Sequence, residues 1–363
     1  SAPVPLVFLF HGVLDSPGII ENQTGFGRYG LEEGFMVVAP AGRGTATHWI
    51  EEDFGDGFAD VTRANPDIVF VEALLDRLGQ EACIDLARVY ATGFSNGAMA
   101  TSAVACTLED RIAAVAAAGG LVDFGERCVL DRPVPYLAFH GRDDSSVLYD
   151  GGFPDWVLDY EIDGVAWRDL PMLEDPALSA PIPERVAGIA ARNGCTAEPS
   201  IDTLTVGPSE PVERWTWACP TDAEVELLTY AAGGHVWPAE SDAGIDGTEL
   251  AWEFFEQHPM PEELDRAARP PRLHEPGRRR SDVACLATTD RADPRRPEPL
   301  GADEAAGVDL AAGALALELA HEEVVVEALL RHQLVVGVHL HDHAAVDEHD
   351  AAGVTDGRQP MRD

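Results

Sequence analysis

Three residues far apart in the chain have types that can do acyl chemistry together: Ser95 in "YATGFSNGAMA", Asp144 in "HGRDDSS" and His235 in "GGHVWP". A serine hydroxyl is a poor nucleophile at its own pKa. It needs a base to take its proton, a third group to orient that base, and donors aimed at the developing oxyanion. Gly93-Phe94-Ser95-Asn96-Gly97 has the Gly-x-Ser-x-Gly spacing of a tight strand-to-helix turn, where the glycine positions leave no room for a side chain. Three fixed letters in five recur by chance, so the neighbours of the motif must decide.

Those neighbours supply the remaining groups. His235 follows two glycines and is the expected general base. Asp144 is the expected acid, by its His-Gly-x-x-Asp spacing after an apolar run; adjacent Asp143 is the alternative, and Asp123 a weaker rival. The N–H of Asn96 is expected to point at the oxyanion. A second donor is expected from the loop after the first apolar run, where Gly12 lets the backbone approach: the N–H of Val13, with Leu14 as the near alternative. His11 and His140 both precede glycine at the ends of apolar runs and are read as bonding loop backbone.

The elements that must position these residues alternate. "PLVFLFHG" (5–12), "FMVVAP" (35–40), "ARVYATG" (87–93), "RIAAVAAAGG" (111–120), "VPYLAFHG" (134–141) and "EVELLTYAAGGH" (224–235) read as strands. Continuous apolar runs ended by glycine suit buried parallel strands. Asn65-Pro66 is an N-cap followed by proline at the first helical position, and opens a helix with Ile68, Val71, Leu75 and Leu78 on one face. Helices are also expected in "NGAMATSAVACTL", "IPERVAGIAARNGC" and "GTELAWEFFEQH". Such alternation predicts a doubly wound, mostly parallel α/β sheet with helices on both faces and functional loops at the carboxyl ends of the strands. Ser95, Asp144 and His235 then stand on one edge of one sheet, in the chain order Ser, Asp, His expected of an α/β-hydrolase.

Taken together, "HG" after the first strand, "CIDLARVYATGFSNGAMA", "HGRDDSSVLYDGG", "RNGC" and "GGHVWP" resemble the polyhydroxybutyrate depolymerase-like and feruloyl esterase-like secreted esterases, from about residue 4 to residue 258. The resemblance implies an α/β-hydrolase with Ser95 as nucleophile, Asp144 as acid and His235 as base. It implies no cofactor and no metal. The substrate would be a polyester oligomer or a plant cell-wall ester: a short-chain hydroxyalkanoate, feruloyl or acetyl ester. Trp237 beside the base and Trp49 in a loop near the site would line the acyl pocket. The rival readings are a serine peptidase of the prolyl-oligopeptidase type and a non-catalytic polymer-binding module. Two departures stand out. The antiparallel hairpin usual before the first strand is missing, and residues 149–182 look like an acidic insertion, placed to act as a lid and carrying Trp156, Tyr160 and Trp167. Cys195 and Cys219 flank a hairpin and are the favoured disulfide; Cys83–Cys106 and Cys106–Cys128 both remain open for a second.

The 363-residue chain has a net charge of −39 and no Lys at all. Phosphate neutralisation needs basic patches, so nucleic acid and anionic membrane are not expected partners, and a monomer is expected. No apolar run is long enough to span a bilayer. Six cysteines without a Cys-x-x-Cys pair suggest structural disulfides and an exported enzyme. The chain begins at Ser1 without a leader, as a processed or truncated N-terminus would. Every Phe, Tyr and Trp precedes residue 256, which marks a boundary near 260. The first 260 residues are read as the catalytic domain. The Arg-, His- and Pro-rich tail, 261–363, is read as disordered or as sequence never selected to fold. A metal face of His339, His341 and His343 is the less favoured reading there.

Overall fold

Val4–Phe10 forms the first strand, β1, and the five residues Leu6 to Phe10 have no exposed surface. A strand sealed on both faces is what an unbroken apolar run requires. The computed structural model describes residues 2–44, 47–50, 61–162, 165–169, 175–204 and 211–261. The expectations for the tail beyond Pro261, including its histidines, lie outside the described residues, as does much of the loop between 42 and 65.

Two helices follow β1: α1 (Pro17–Thr24) and α2 (Phe26–Glu33). Neither shows in the periodicity, because each is only eight residues long and glycines interrupt the pattern. Gly25, at φ 67°, ends one and begins the other. β2 (Met36–Val38) precedes α3 (Pro66–Glu81), which is capped by Asn65 Oδ1 on the Asp67 N–H and buries Leu74 beside the four expected residues. β3 (Ile84–Phe94) runs into α4 (Asn96–Thr107), then β4 (Ala114–Ala118) and β5 (Tyr136–Gly141).

Between β5 and the next sheet strands lies the expected insertion. It holds α5 (Asp155–Leu158), a two-residue ribbon of β6 (Glu161–Ile162) and β7 (Val165–Ala166), and α6 (Pro176–Ser179); 163–164 and 170–174 lie outside the description. α7 (Ile182–Arg192) follows, then β8 (Ser200–Leu204), β9 (Val212–Thr216), β10 (Val225–Tyr230) and α8 (Gly247–Gln257).

The eight-stranded sheet has the order β2-β1-β3-β4-β5-β10-β9-β8. The first six strands in that order are parallel, and β9 and β8 extend the sheet as an antiparallel pair. With its helical layers this is an α/β-hydrolase fold. α1 and α8 share one face, where Thr248 Oγ1 donates to Thr24 O at 2.8 Å, Trp252 stacks on Phe35 and Phe255 on Tyr90. α4 is buried on all sides, which explains its small residues. Its Thr101, Ser102 and Thr107 hydroxyls bond back to carbonyls four residues earlier, at 2.7–2.9 Å, so none is stranded.

Two disulfides lie wholly among the described residues: Cys106–Cys128, which decides between the two open pairings, and Cys195–Cys219, which ties the end of α7 to the chain after β9. No described cysteine is free. No helix among the described residues is long and apolar enough to cross a membrane.

Candidate active site

β1, β3, β5 and β10 all end on one edge of the sheet, and the loops after them carry the candidate residues. At the end of β3, Ser95 takes φ 56° and ψ −121°, a conformation that L-residues rarely adopt. It is sustained from both sides: the Ser95 N–H donates to Ala118 O at 2.9 Å, and α4 starts at once with Asn96. The glycines of the motif have a packing cause. A Cβ on Gly93 would meet the Gly97 carbonyl, and one on Gly97 would meet the Phe10 carbonyl. The turn therefore projects Ser95 from the sheet edge while the backbones around it touch.

His235 reaches Ser95 from the loop after β10, with Ser95 Oγ 2.9 Å from its Nε2. Its Nδ1 lies 2.8 Å from Asp144 Oδ2. A carboxylate only accepts, so Nδ1 carries the proton and Nε2 is the free acceptor facing the hydroxyl. The imidazole also packs against the Phe94 ring, with centroids 4.7 Å apart. Asp144 is 4 % exposed; its other oxygen, Oδ1, accepts from the N–H groups of Ser146 and Val147, both at 2.8 Å. The adjacent acid has different work: Asp143 Oδ1 accepts the Gly234 N–H at 2.8 Å, pinning the loop that carries His235. Asp123 pairs instead with Arg192.

Two further histidines brace these loops. His140 is fully buried, and its Nε2–H donates to Val147 O at 2.9 Å; burial pushes its pKa down to about 4, so it is neutral. His11 donates from Nδ1 to Gly12 O at 2.7 Å and accepts the Gly42 N–H on Nε2 at 2.8 Å; burial lowers its pKa too.

Of the two N–H groups weighed after β1, that of Leu14 donates to Thr47 O at 2.9 Å and is thereby engaged. Val13 stands next to it in the same loop, and Asn96 opens α4, where its N–H has no intrahelical acceptor. Both residues line a cavity of about 240 Å³ that also contains Ser95 and His235. Its walls are mainly apolar: Phe94 and Met99 from the elbow, and Phe153, Trp156, Val157 and Tyr160 from the insertion. Sequence reasoning placed Trp156 and Tyr160 in that segment but missed Phe153, Val157 and Met99. The side chain of Trp167 lies outside the description.

Trp49 and Trp237, expected to line the acyl pocket, do not. Trp49 is 1 % exposed beneath the first loop; its Nε1–H donates to His11 O at 3.1 Å and its ring meets Phe10 edge-on. Trp237 is buried against Phe26 and donates from Nε1 to Thr248 Oγ1 at 3.1 Å. A large ring beside a site packs into the nearest core once its single N–H finds an acceptor, and both do.

The chain has relatives of known name. It is 29 % identical over 266 residues to feruloyl esterase B of Piromyces equi, covering 71 % of this chain and 42 % of that protein. It is 31 % identical over 159 residues to a probable feruloyl esterase C of Aspergillus oryzae, covering 42 % of this chain and 53 % of that one. It is also 31 % identical over 145 residues to a bifunctional acetylxylan esterase/xylanase of Neocallimastix patriciarum, of which it spans 20 %. The chain thus spans about half or less of the length of these relatives. No known family profile matches it. Among solved structures, the acetyl xylan esterase from Aspergillus awamori superposes with a TM-score of 0.46 at 14 % identity, over 70 % of this chain and 90 % of that one.

Proposed function

We propose that this chain, a member of the feruloyl esterase-like α/β-hydrolases, is a serine carboxylic ester hydrolase that works through an acyl-enzyme. The observation that carries the reading is the unbroken hydrogen-bonded line Asp144–His235–Ser95, at 2.8 and 2.9 Å, opening into an apolar cavity. Ser95 Oγ attacks the ester carbonyl carbon as its proton passes to His235 Nε2. Asp144 holds the imidazole in the receptive tautomer and stabilises the imidazolium. The N–H groups of Val13 and Asn96 receive the oxyanion. Collapse of the tetrahedral intermediate breaks the bond to the alcohol, which leaves with the proton from Nε2. Water, deprotonated by His235, then attacks the acyl carbon and returns Ser95 with its proton and a free acid.

The substrate we propose is a feruloyl or acetyl ester, supported by the named relatives and by the aromatic side chains over the cavity. Hydroxyalkanoate oligomers, the other class implied by the resemblance, are separated by comparing turnover of methyl ferulate with that of a hydroxybutyrate trimer. Export to an oxidising compartment belongs to the same reading and is supported by the disulfides Cys106–Cys128 and Cys195–Cys219. The deciding experiment is Ser95→Ala assayed on a short-chain p-nitrophenyl ester. Turnover is expected to vanish, and activity within about tenfold of the parent overturns the reading.

A further inference from the structure

Among the described residues lining the cavity over Ser95 are one histidine, His235, engaged with Ser95 and Asp144, and one carboxylate side chain, that of Asp15. Asp15 follows the loop that supplies the Val13 N–H and precedes α1. It is held at both ends. Its Oδ1 accepts the Ser16 N–H at 2.7 Å, and its main-chain oxygen accepts Thr47 Oγ1 at 2.6 Å. Its Oδ2 lies 3.9 Å from the place a Cβ on Gly12 would take, and that place is 3.5 Å from the Ser95 Cβ. The carboxylate and the reacting serine therefore border one methyl-sized gap. No arginine among the described residues lines the cavity. Beside a mainly apolar wall a charge is screened less than on an open surface.

We propose that Asp15 is a specificity-determining residue that filters substrates by charge. It turns away esters that bring a second carboxylate into the cavity and favours neutral or cationic ones. The inference rests on the ester-hydrolase reading above. It has two consequences. An acyl chain ending in a free carboxylate, as a short hydroxyalkanoate oligomer does, is a poor substrate, whereas a neutral ester is a good one. The acid freed at each turnover ionises beside Asp15, and the same repulsion speeds its exit.

The test uses three p-nitrophenyl esters of matched acyl length: neutral (hexanoate), anionic (glutarate half-ester) and cationic (4-trimethylammoniobutyrate). Values of kcat/KM are measured in 1 M salt, where a Debye length of about 3 Å silences the acidic surface. The wild type is expected to prefer the cationic over the anionic ester by about thirtyfold or more. Asp15→Asn, which keeps an acceptor for the Ser16 N–H, is expected to cut that ratio at least about tenfold. Asp15→Ser repeats the measurement if the Asn variant does not fold. A wild type that treats the two charged esters alike, or a variant that keeps the wild-type ratio, overturns the inference while leaving the esterase reading intact. A wild type that cleaves none of the three esters overturns both.

Discussion

The side chain of Asn96 is engaged with Trp49: its Oδ1 accepts the Trp49 N–H at 2.8 Å, and its Nδ2 donates to Trp49 O at 3.3 Å. Its amide thus clamps a core tryptophan beneath the first loop, and the oxyanion role we propose for Asn96 is left to its backbone N–H. Truncation removes only the clamp, stranding two buried main-chain groups at a cost of about 1–3 kcal/mol. Asn96→Ala should therefore lower the melting temperature by several degrees, seen by calorimetry, and reduce kcat/KM by about tenfold through loosening of the loop. Ser95→Ala should cost at least about a thousandfold with an unchanged melting curve. Equal losses of kcat/KM would place the Asn96 side chain in the chemistry itself. At this scale the two acids also separate. Asp143 and Asp144 are adjacent in sequence, yet Asp144 holds the imidazole and Asp143 holds the loop that delivers it.

At the scale of elements, the strands and the long helices were legible because each carries its own signal: apolar runs ended by glycine, and an Asn-Pro cap before a periodic face. α4 was legible from its small residues, whose reason is that β1, β3 and β4 all press on it. The hairpin of β8 and β9 was legible from its flanking cysteines. It is exposed along β8, and with no large core of its own it leans on the Cys195–Cys219 bridge. Closing a loop with a sequence separation of 24 is worth about 3 kcal/mol in the chain-entropy account. The double change Cys195→Ser with Cys219→Ser should lower unfolding stability by about that amount in a urea titration, and dithiothreitol should shift the wild type the same way. A wild-type midpoint indifferent to reductant would contradict this.

At the scale of the whole molecule, histidines with opposite shifts couple stability to pH. His258 donates to both the Phe254 carbonyl and Glu224, which requires the imidazolium. Burial alone would lower its pKa, but the Glu224 bond and the Phe254 carbonyl outweigh burial and raise it; the same bond holds Glu224 below the usual carboxylate range. That pair contributes fully between the unfolded values of about 4.3 and 6.5, and its contribution is lost as pH rises through the raised His258 value. His140 works the other way. Folded, it resists protonation down to about pH 4, whereas the unfolded chain takes up the proton near 6.5. Stability therefore falls by about 3 kcal/mol as pH drops across that interval. Melting temperature should rise from pH 4.5 to 6.5 and decline gently toward 8.5, and His258→Gln should remove the decline. A decline that persists in the variant would show that the Glu224 pair is not its source.

Composition, strand order along the chain and the loop that follows each strand are local properties, and they were enough to expect an α/β sheet with Ser95, Asp144 and His235 on one edge. The β3–α4 turn that presents Ser95 is local as well, since Gly93 and Gly97 are required by contacts within a few residues and with the neighbouring strand. The cavity wall is not local. It is assembled from the loop after β1, the elbow, the insertion and the loop after β10, and the direction of a side chain in a segment without periodicity depends on what lies opposite. Tertiary structure therefore sent Trp49 and Trp237 into the core and brought Phe153 and Trp156 over the site. It also paired Cys106 with Cys128 and placed Asp15, one acid among 64 in the chain, on the wall of the cavity that holds Ser95.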